Sequence, residues 1–184
     1  LLGIQLFCVL HRAGLVRIAL EYGAIVNLDE VIVGVGRAVR ASSDEIGQEM
    51  RDRGHEYGSV TGRPRRCGWI DLVALRYAIM VDGVTDLIMM KSDVMDTFET
   101  IKACVAYDVD GKITETLPFE LNEKTKPVYT EIPGWNCDMT SIKSEDEFPE
   151  EFNNYLSFLE NELEVRIRIV SLGPDREQTI ERYI

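Results

Sequence analysis

Leu87–Met90 is the stretch that most limits how this chain folds. Four apolar residues stand unbroken after a turn signal and run directly into the polar triplet Lys91-Ser92-Asp93. Such a run fits a strand buried on both faces. Upstream, Trp69–Val81 sets Trp69, Leu72, Val73, Arg76, Tyr77 and Met80 at helical spacing, an apolar face with Arg76 at the edge of a sheet. Asp82-Gly83 ends that helix. Downstream, Ile101–Val109 alternates as a strand and turns at Asp110-Gly111. The alternation of strand, loop and helix specifies an α/β sheet with some parallel pairing.

The flanks extend this reading. Val31–Val35 is a β-branched strand, and Ser42 or Ser43 opens a short polar helix, Asp44–Arg53, stopped by Gly54 as a C-terminal cap residue would stop it. Leu117–Met139 is rich in turn residues and reads as a structured excursion, because Tyr129, Ile132 and Trp135 need burial. Ser144 with Glu147 three residues on forms a capping box that opens a helix with the stripe Phe148, Phe152, Tyr155, Leu156, Leu159 and Leu163. Val165–Val170 alternates as a strand, and Ser171-Leu172-Gly173-Pro174 turns into a final helical segment, Asp175–Ile184.

Charge and length exclude several functions. With 20 Lys and Arg against 32 Asp and Glu among 184 residues, the net charge is −12, which opposes a general nucleic-acid binder. A local basic loop can still hold a nucleotide. The uncharged apolar stretch Leu1–Leu10 falls short of the ~20 residues a bilayer crossing needs, so no membrane partner is expected. The chain begins at Leu1, which suggests part of a longer protein. Cys8, Cys67, Cys104 and Cys137 are widely spaced and read as reduced thiols of a cytosolic protein.

Three loops carry unusual chemistry. Ser59–Arg66 places Arg63, Arg65 and Arg66 on a glycine-bearing turn stiffened by Pro64, with the Thr61 hydroxyl beside them. Guanidinium forks bind carboxylate or phosphate bidentately, and the N–H groups at a following helix entrance favour anions; the competing reading is a solvated basic turn. Lys91-Ser92-Asp93 follows the buried strand. An aspartate there can accept from guanine N1–H and the exocyclic amine together, while the lysine stem lies against the base; the alternative is a surface Lys–Asp pair. In Ser171–Arg176, Gly173 permits close approach of a flat ligand and Ser171 offers a hydroxyl, where ordinary turn chemistry would leave Asp175 as a helix cap. His55 and Trp135 read as structural.

Together the runs GHEYGSVTGRPRRCGWIDLVALRYA (54–78), LIMMKSDVMD (87–96), IKACVAYDVDGK, PVYTEIPGW and VSLGPDREQTI resemble adenylosuccinate synthetase, in that family's order and spacing. The wording KSDVMDTF and IKACVAY resembles its Bacteroidota members. The resemblance spans residues 29–184 and implies the C-terminal part of the family fold, a mostly parallel central sheet flanked by helices; residues 1–28 stay unassigned. It implies a cytoplasmic homodimer that joins IMP to L-aspartate at the expense of GTP with Mg²⁺.

Carried onto this sequence, the resemblance makes Ser59, Val60, Thr61, Gly62, Arg63, Pro64 and Arg65 the aspartate-binding loop. Thr61 and the backbone around Gly62 would hold a carboxylate, Arg63 would bridge towards aspartate and IMP, and Arg65 would face aspartate and the GTP phosphates. Lys91 and Asp93 would read guanine, with Ser92 where the family usually has Leu. Ser171, Leu172 and Gly173 would close over its other side.

The departures are equally informative. No GxxxxGK-like run occurs, and the family's N-terminal phosphate loop, catalytic aspartate, catalytic histidine and Mg²⁺ site have no counterpart in these residues. No catalytic residue and no metal ligand is therefore expected here; the Mg²⁺ site is expected in an N-terminal part, and these residues alone are expected to be inactive. His11 is not taken for the missing histidine. The alternatives are a non-catalytic guanine-nucleotide-binding module, and a basic contact at Arg63–Arg66 for an anionic protein or RNA.

Overall fold

Strand β3 (Asp86–Met90) forms where the apolar run led us to expect one, between β1 (Leu6–Leu10) and β7 (Arg166–Ser171). In the computed structural model the described residues are 6–10, 45–58, 60–65, 67–119, 121 and 124–183, with the backbone alone for 6–10. The strand expected at Val31–Val35, the opening serines Ser42 and Ser43, His11, Ser59 and Arg66 lie outside them. Leu87 and Met89 are fully buried, whereas Ile88 and Met90 are half-buried, so one face of β3 is sealed and the other is partly covered.

The class is α/β, as expected. Described strands lie in two four-stranded sheets. In the first, β3 pairs parallel with β7 and antiparallel with β1, and β8 (Thr179–Glu181) adds antiparallel to β7. In the second, β4 (Thr100–Val109) is central: β2 (Ile70–Asp71) pairs parallel with it, and β5 (Lys112–Thr114) and β6 (Thr125–Pro133) pair antiparallel. The described pairing is thus mixed, with parallel partners only where a helix-bearing crossover joins the strands. The β4–β5 hairpin turns at Asp110-Gly111, both at positive φ (53° and 85°), which matches the twist of paired strands.

Among the described residues there are three helices, α1 (Glu45–Arg53), α2 (Leu72–Asp82) and α3 (Glu150–Leu163); α2 and α3 lie against the sheets, and α1 packs on the turn that follows β3. The main core gathers Leu87, Met89, Ile101, Ala103, Phe152, Tyr155, Leu156, Leu159, Ile167 and Val170, all fully buried. Trp135 packs edge-on to Phe152, with ring centroids 4.7 Å apart, and Ile132 is buried beside it.

Four expectations need correction. The helix after the arginine loop begins at Leu72, because Ile70-Asp71 is drawn into a short strand on Ala103 and Cys104 and Asp71 then caps the helix, its Oδ1 accepting from Ala74 N at 3.1 Å. Its buried face is Leu72, Val73 and Ala74, while Tyr77 and Met80 are exposed. Ser144 and Glu147 bound only a 3₁₀ turn (Glu145–Glu147), and α3 starts after Pro149, whose fixed φ suits a helix entrance better than its interior; all six residues of the stripe are nonetheless buried.

The excursion contains β6, with Pro127 and Pro133 tolerated because, among the described residues, β6 pairs on one side alone, with β4. The final segment is not a helix: a 3₁₀ turn (Arg176–Gln178) leads into β8. β-branched Thr179 and Ile180 suit a strand, Ile180 is buried, and Arg182 N donates to Arg168 O at 2.8 Å. The buried Arg182 guanidinium fixes this return by donating to Glu145 Oε1, Glu160 Oε1 and Ile167 O.

Candidate functional site: three loops joined by two side chains

The arginine loop is a tight hairpin. Gly58 N donates to Arg63 O at 2.9 Å, Gly62 N to Gly58 O at 2.8 Å and Arg65 N to Glu56 O at 2.9 Å, and Tyr57 bridges to Pro64. Gly62 sits at φ 63°, the left-handed region that glycine enters without steric cost. The tip, Val60 to Arg65, is exposed, and Thr61 Oγ1 accepts from Arg63 N at 3.3 Å. Among the described residues no carboxylate pairs with Arg63.

The hairpin stands on α1, where Arg51 Nε donates to Arg65 O at 2.6 Å and the Tyr57 hydroxyl to Asp52. That helix ends beside Gly54, but the left-handed residue after it is His55 at φ 50°. Gly54 is buried and gives space, since a Cβ there would lie 3.1 Å from Met50 O. The helix entrance expected to draw anions towards the arginines is not open. Asp71 already caps α2, and Cys67, Gly68, Trp69 and β2 intervene between it and the loop.

Lys91-Ser92-Asp93 forms the turn leaving β3. Lys91 takes φ 60°, and Ser92 begins a 3₁₀ turn (Ser92–Met95). From this turn the three side chains diverge. Lys91 Nζ reaches back to the arginine hairpin, donating to Gly54 O at 2.8 Å and to Glu56 Oε1. Glu56 Oε2 in turn accepts from Arg65 Nη1 at 2.9 Å. The fully buried Ser92 donates through Oγ to Ser171 O at 2.7 Å, so it touches the third loop and not a ligand surface. Asp93 is half-buried and makes no ion pair among the described residues; burial, the largest influence, pushes its carboxyl up from the ordinary value.

The third loop continues β7. Ser171 Oγ donates to Gly173 O at 2.9 Å, and the buried Leu172 donates through N to Gln178 O at 2.8 Å. Gln178 Oε1 accepts from Asp175 N at 3.0 Å, and its Nε2 donates to Thr140 O at 3.4 Å. A fourth segment, 135–140, thereby joins the cluster. It is pinned from the other side by Asp96, which accepts from Trp135 Nε1 at 2.8 Å and Met139 N at 3.1 Å. Burial pushes Asp96 up to about 6, with the charges of Asp93 and Asp138 adding to the shift.

Thus the loops singled out by chemistry meet in space through Glu56 on one side and Ser92 on the other. Sequence reasoning assigned no role to Glu56, Asp96 or Gln178. Each acts across long sequence separations, and no local spacing announces that. Trp135 is structural, as expected. Cys67 and Cys104 are buried free thiols and Cys137 an exposed one. Among the described residues no helix is long and apolar enough to cross a membrane, and no three His, Cys, Asp or Glu side chains are grouped to hold a metal ion.

Comparison with known proteins places these loops in context. The sequence model of the adenylosuccinate synthetase family matches residues 23–180. Over 151 residues the chain is 65% identical to the adenylosuccinate synthetase of Phocaeicola vulgatus, a match covering 82% of this chain and 36% of that protein. With the same coverage it is 64% identical to that of Bacteroides thetaiotaomicron and 52% to that of Christiangramia forsetii. Among solved structures, the fully ligated adenylosuccinate synthetase from Plasmodium falciparum superposes with a TM-score of 0.73 at 32% identity, covering 77% of this chain and 35% of the other. The match therefore spans about a third of the length of these relatives.

Proposed function

The chain belongs to the adenylosuccinate synthetase family, and from that premise we propose that the protein carrying it is a cytoplasmic homodimer that ligates IMP to L-aspartate at the expense of GTP. The observation that carries the reading is the meeting of three loops whose chemistry suits guanine, phosphate and carboxylate, joined through Glu56 and Ser92.

The oxygen at C6 of a purine amide is a poor leaving group until it is phosphorylated. GTP supplies that phosphoryl group, and the aspartate amine then displaces the phosphate. The described residues serve this chemistry by binding and orientation. Asp93 accepts from N1–H and the exocyclic amine of guanine, a donor pair adenine lacks. The Lys91 stem lies against one face of the base, while Ser171 and Gly173 close the other. Ser92 contributes through the position of Ser171 rather than through contact.

In the hairpin, Val60 and Pro64 shape the tip beside Ser59, Thr61 and the backbone at Gly62 receive a carboxylate, and Arg63 bridges aspartate and IMP. Arg65 faces aspartate and the GTP phosphates, where a positioned cation stabilises the charge that builds during transfer. Magnesium, when bound, offsets phosphate charge. The described residues do not supply a ligand set for it, and no step is routed through it.

The test uses the full-length protein, assayed for adenylosuccinate. Arg63→Ala and Arg65→Ala are each expected to raise the aspartate KM by about tenfold or more, the cost of losing a charge-assisted hydrogen bond. Asp93→Asn is expected to abolish the preference for GDP over ADP. Unchanged aspartate saturation in both arginine variants refutes the hairpin assignment, and a retained guanine preference in Asp93→Asn refutes the pocket. Guanine-selective binding without ligation would instead mark a nucleotide-binding module.

A further inference from the structure

Lys91 and Arg65 serve different ligands in the reading above, yet they share one carboxylate. Glu56 Oε1 accepts from Lys91 Nζ and Oε2 accepts from Arg65 Nη1. The carboxylate lies beneath the cations: its side chain is 13% exposed, against 38% for Lys91 and 42% for Arg65. Its backbone is equally fixed, with N donating to Arg51 O at the end of α1 and O accepting from Arg65 N in the hairpin stem. Gly54 makes room, since a Cβ there would stand 3.3 Å from Glu56 Cγ, and the Gly54 carbonyl takes a second bond from Lys91 Nζ.

We infer that Glu56 is a positioning residue that holds the guanine-facing lysine and the phosphate- and aspartate-facing arginine in register with each other before either ligand binds. A ligand that orders a free lysine or arginine bears the cost of its lost rotamer freedom. A carboxylate that orders both in advance removes that cost from binding. It does so without consuming them. Arg65 donates one of its five N–H groups to Glu56, which leaves the rest of the fork for an anion. Lys91 is tied through its Nζ head, and its apolar stem remains the part a base can lie upon. The two cations also hold Glu56 ionised, below the usual carboxylate range despite its burial.

The inference rests on the proposed function, and its sign separates it from a simple charge effect. If Glu56 acted only through its field, removing its negative charge would strengthen the binding of a nucleotide diphosphate and of aspartate. Positioning requires the opposite. In the full-length protein, Glu56→Gln is expected to weaken GDP binding by about tenfold and to raise the aspartate KM in step, with the IMP KM within about twofold of wild type. Glu56→Asp keeps the charge but shortens the reach, and is expected to recover most of the loss at one cation while remaining about threefold weak for the other ligand.

Wild-type or tighter GDP affinity in Glu56→Gln, with Asp93→Asn losing guanine preference in the same assay, overturns the role of Glu56 and leaves the pocket intact. Guanine preference retained in Asp93→Asn overturns the pocket and the inference with it. Should Glu56→Gln fold poorly by circular dichroism, Glu56→Asp decides: unchanged GDP affinity together with unchanged aspartate KM overturns the proposal.

Discussion

Replacing Asp96 by asparagine tests whether the turn that follows β3 is clamped by a buried carboxyl whose ionisation opposes folding. Asp96 is 7% exposed and accepts from Trp135 Nε1 and Met139 N, one bond to each oxygen. Its carboxyl is raised from 3.8 to about 6. Because the folded value lies above the unfolded one, the folded state binds the extra proton between them. Stability from this group is full below about pH 3.8 and is lost as pH rises through about 6.

The whole shift corresponds to roughly 3 kcal/mol, of which about 1.3 kcal/mol is regained between pH 7 and pH 5. Asparagine carries no charge at either pH and offers one acceptor oxygen in place of two. It removes the ionisation penalty at pH 7 but leaves one N–H unpaired, at a cost of about 1–3 kcal/mol. The offset at neutral pH is therefore small, and the informative quantity is the slope. Urea unfolding of both full-length proteins, followed by tryptophan fluorescence, should show the variant losing about 1.3 kcal/mol relative to wild type between pH 7 and pH 5. Parallel pH profiles would refute the reasoning.

Gly134→Ala should be among the most destabilising single changes, because a Cβ there would collide with the Phe98 carbonyl oxygen and lie 2.9 Å from its carbon, backbone atoms that cannot turn aside. A loss of at least about 2 kcal/mol in thermal or urea unfolding is expected; a change under 0.5 kcal/mol would show the strand end to be pliable. Gly173→Ala meets a side chain instead, with its Cβ 2.7 Å from Gln178 Cδ. Gln178 can swing away but must then release Asp175 N and Thr140 O. The GTP KM should rise by about three- to tenfold, the worth of one or two hydrogen bonds, with little change in the aspartate KM, and equal changes in both would contradict a guanine-side role for this loop.

What the sequence discloses and what it hides divides along physical lines. The stripe from Phe148 to Leu163 is legible because burial repeats at the period of the backbone, so each residue testifies to the same face. Val165–Val170 is legible as a strand by its β-branched residues, although a register shift between Ile167 and Ile169 breaks the alternation of burial. Glycine, proline and arginine on the hairpin are legible for a different reason, since their conformational and hydrogen-bonding limits travel with the residue wherever it is placed. The errors arise where a neighbour far along the chain decides.

Thr179–Glu181 becomes a strand because β7 offers an open edge and Arg182 finds Glu145 and Glu160. Ser144 loses its helix because Pro149 provides a later start. Asp71, read as part of a helix, is the residue that closes that helix's entrance to anions. Glu56 is the extreme case. It lies in plain view two residues before the glycine loop, and nothing local distinguishes it from the many acids that balance the basic residues here. Only when β3 delivers Lys91 beside α1 does its carboxylate acquire two cations. The chemistry a residue can offer is thus read from its type and turn, whereas the partner that holds it in place is defined by the fold alone. Substitutions at Glu56, Asp96 and Gln178 are therefore the ones that test the structure rather than the motif.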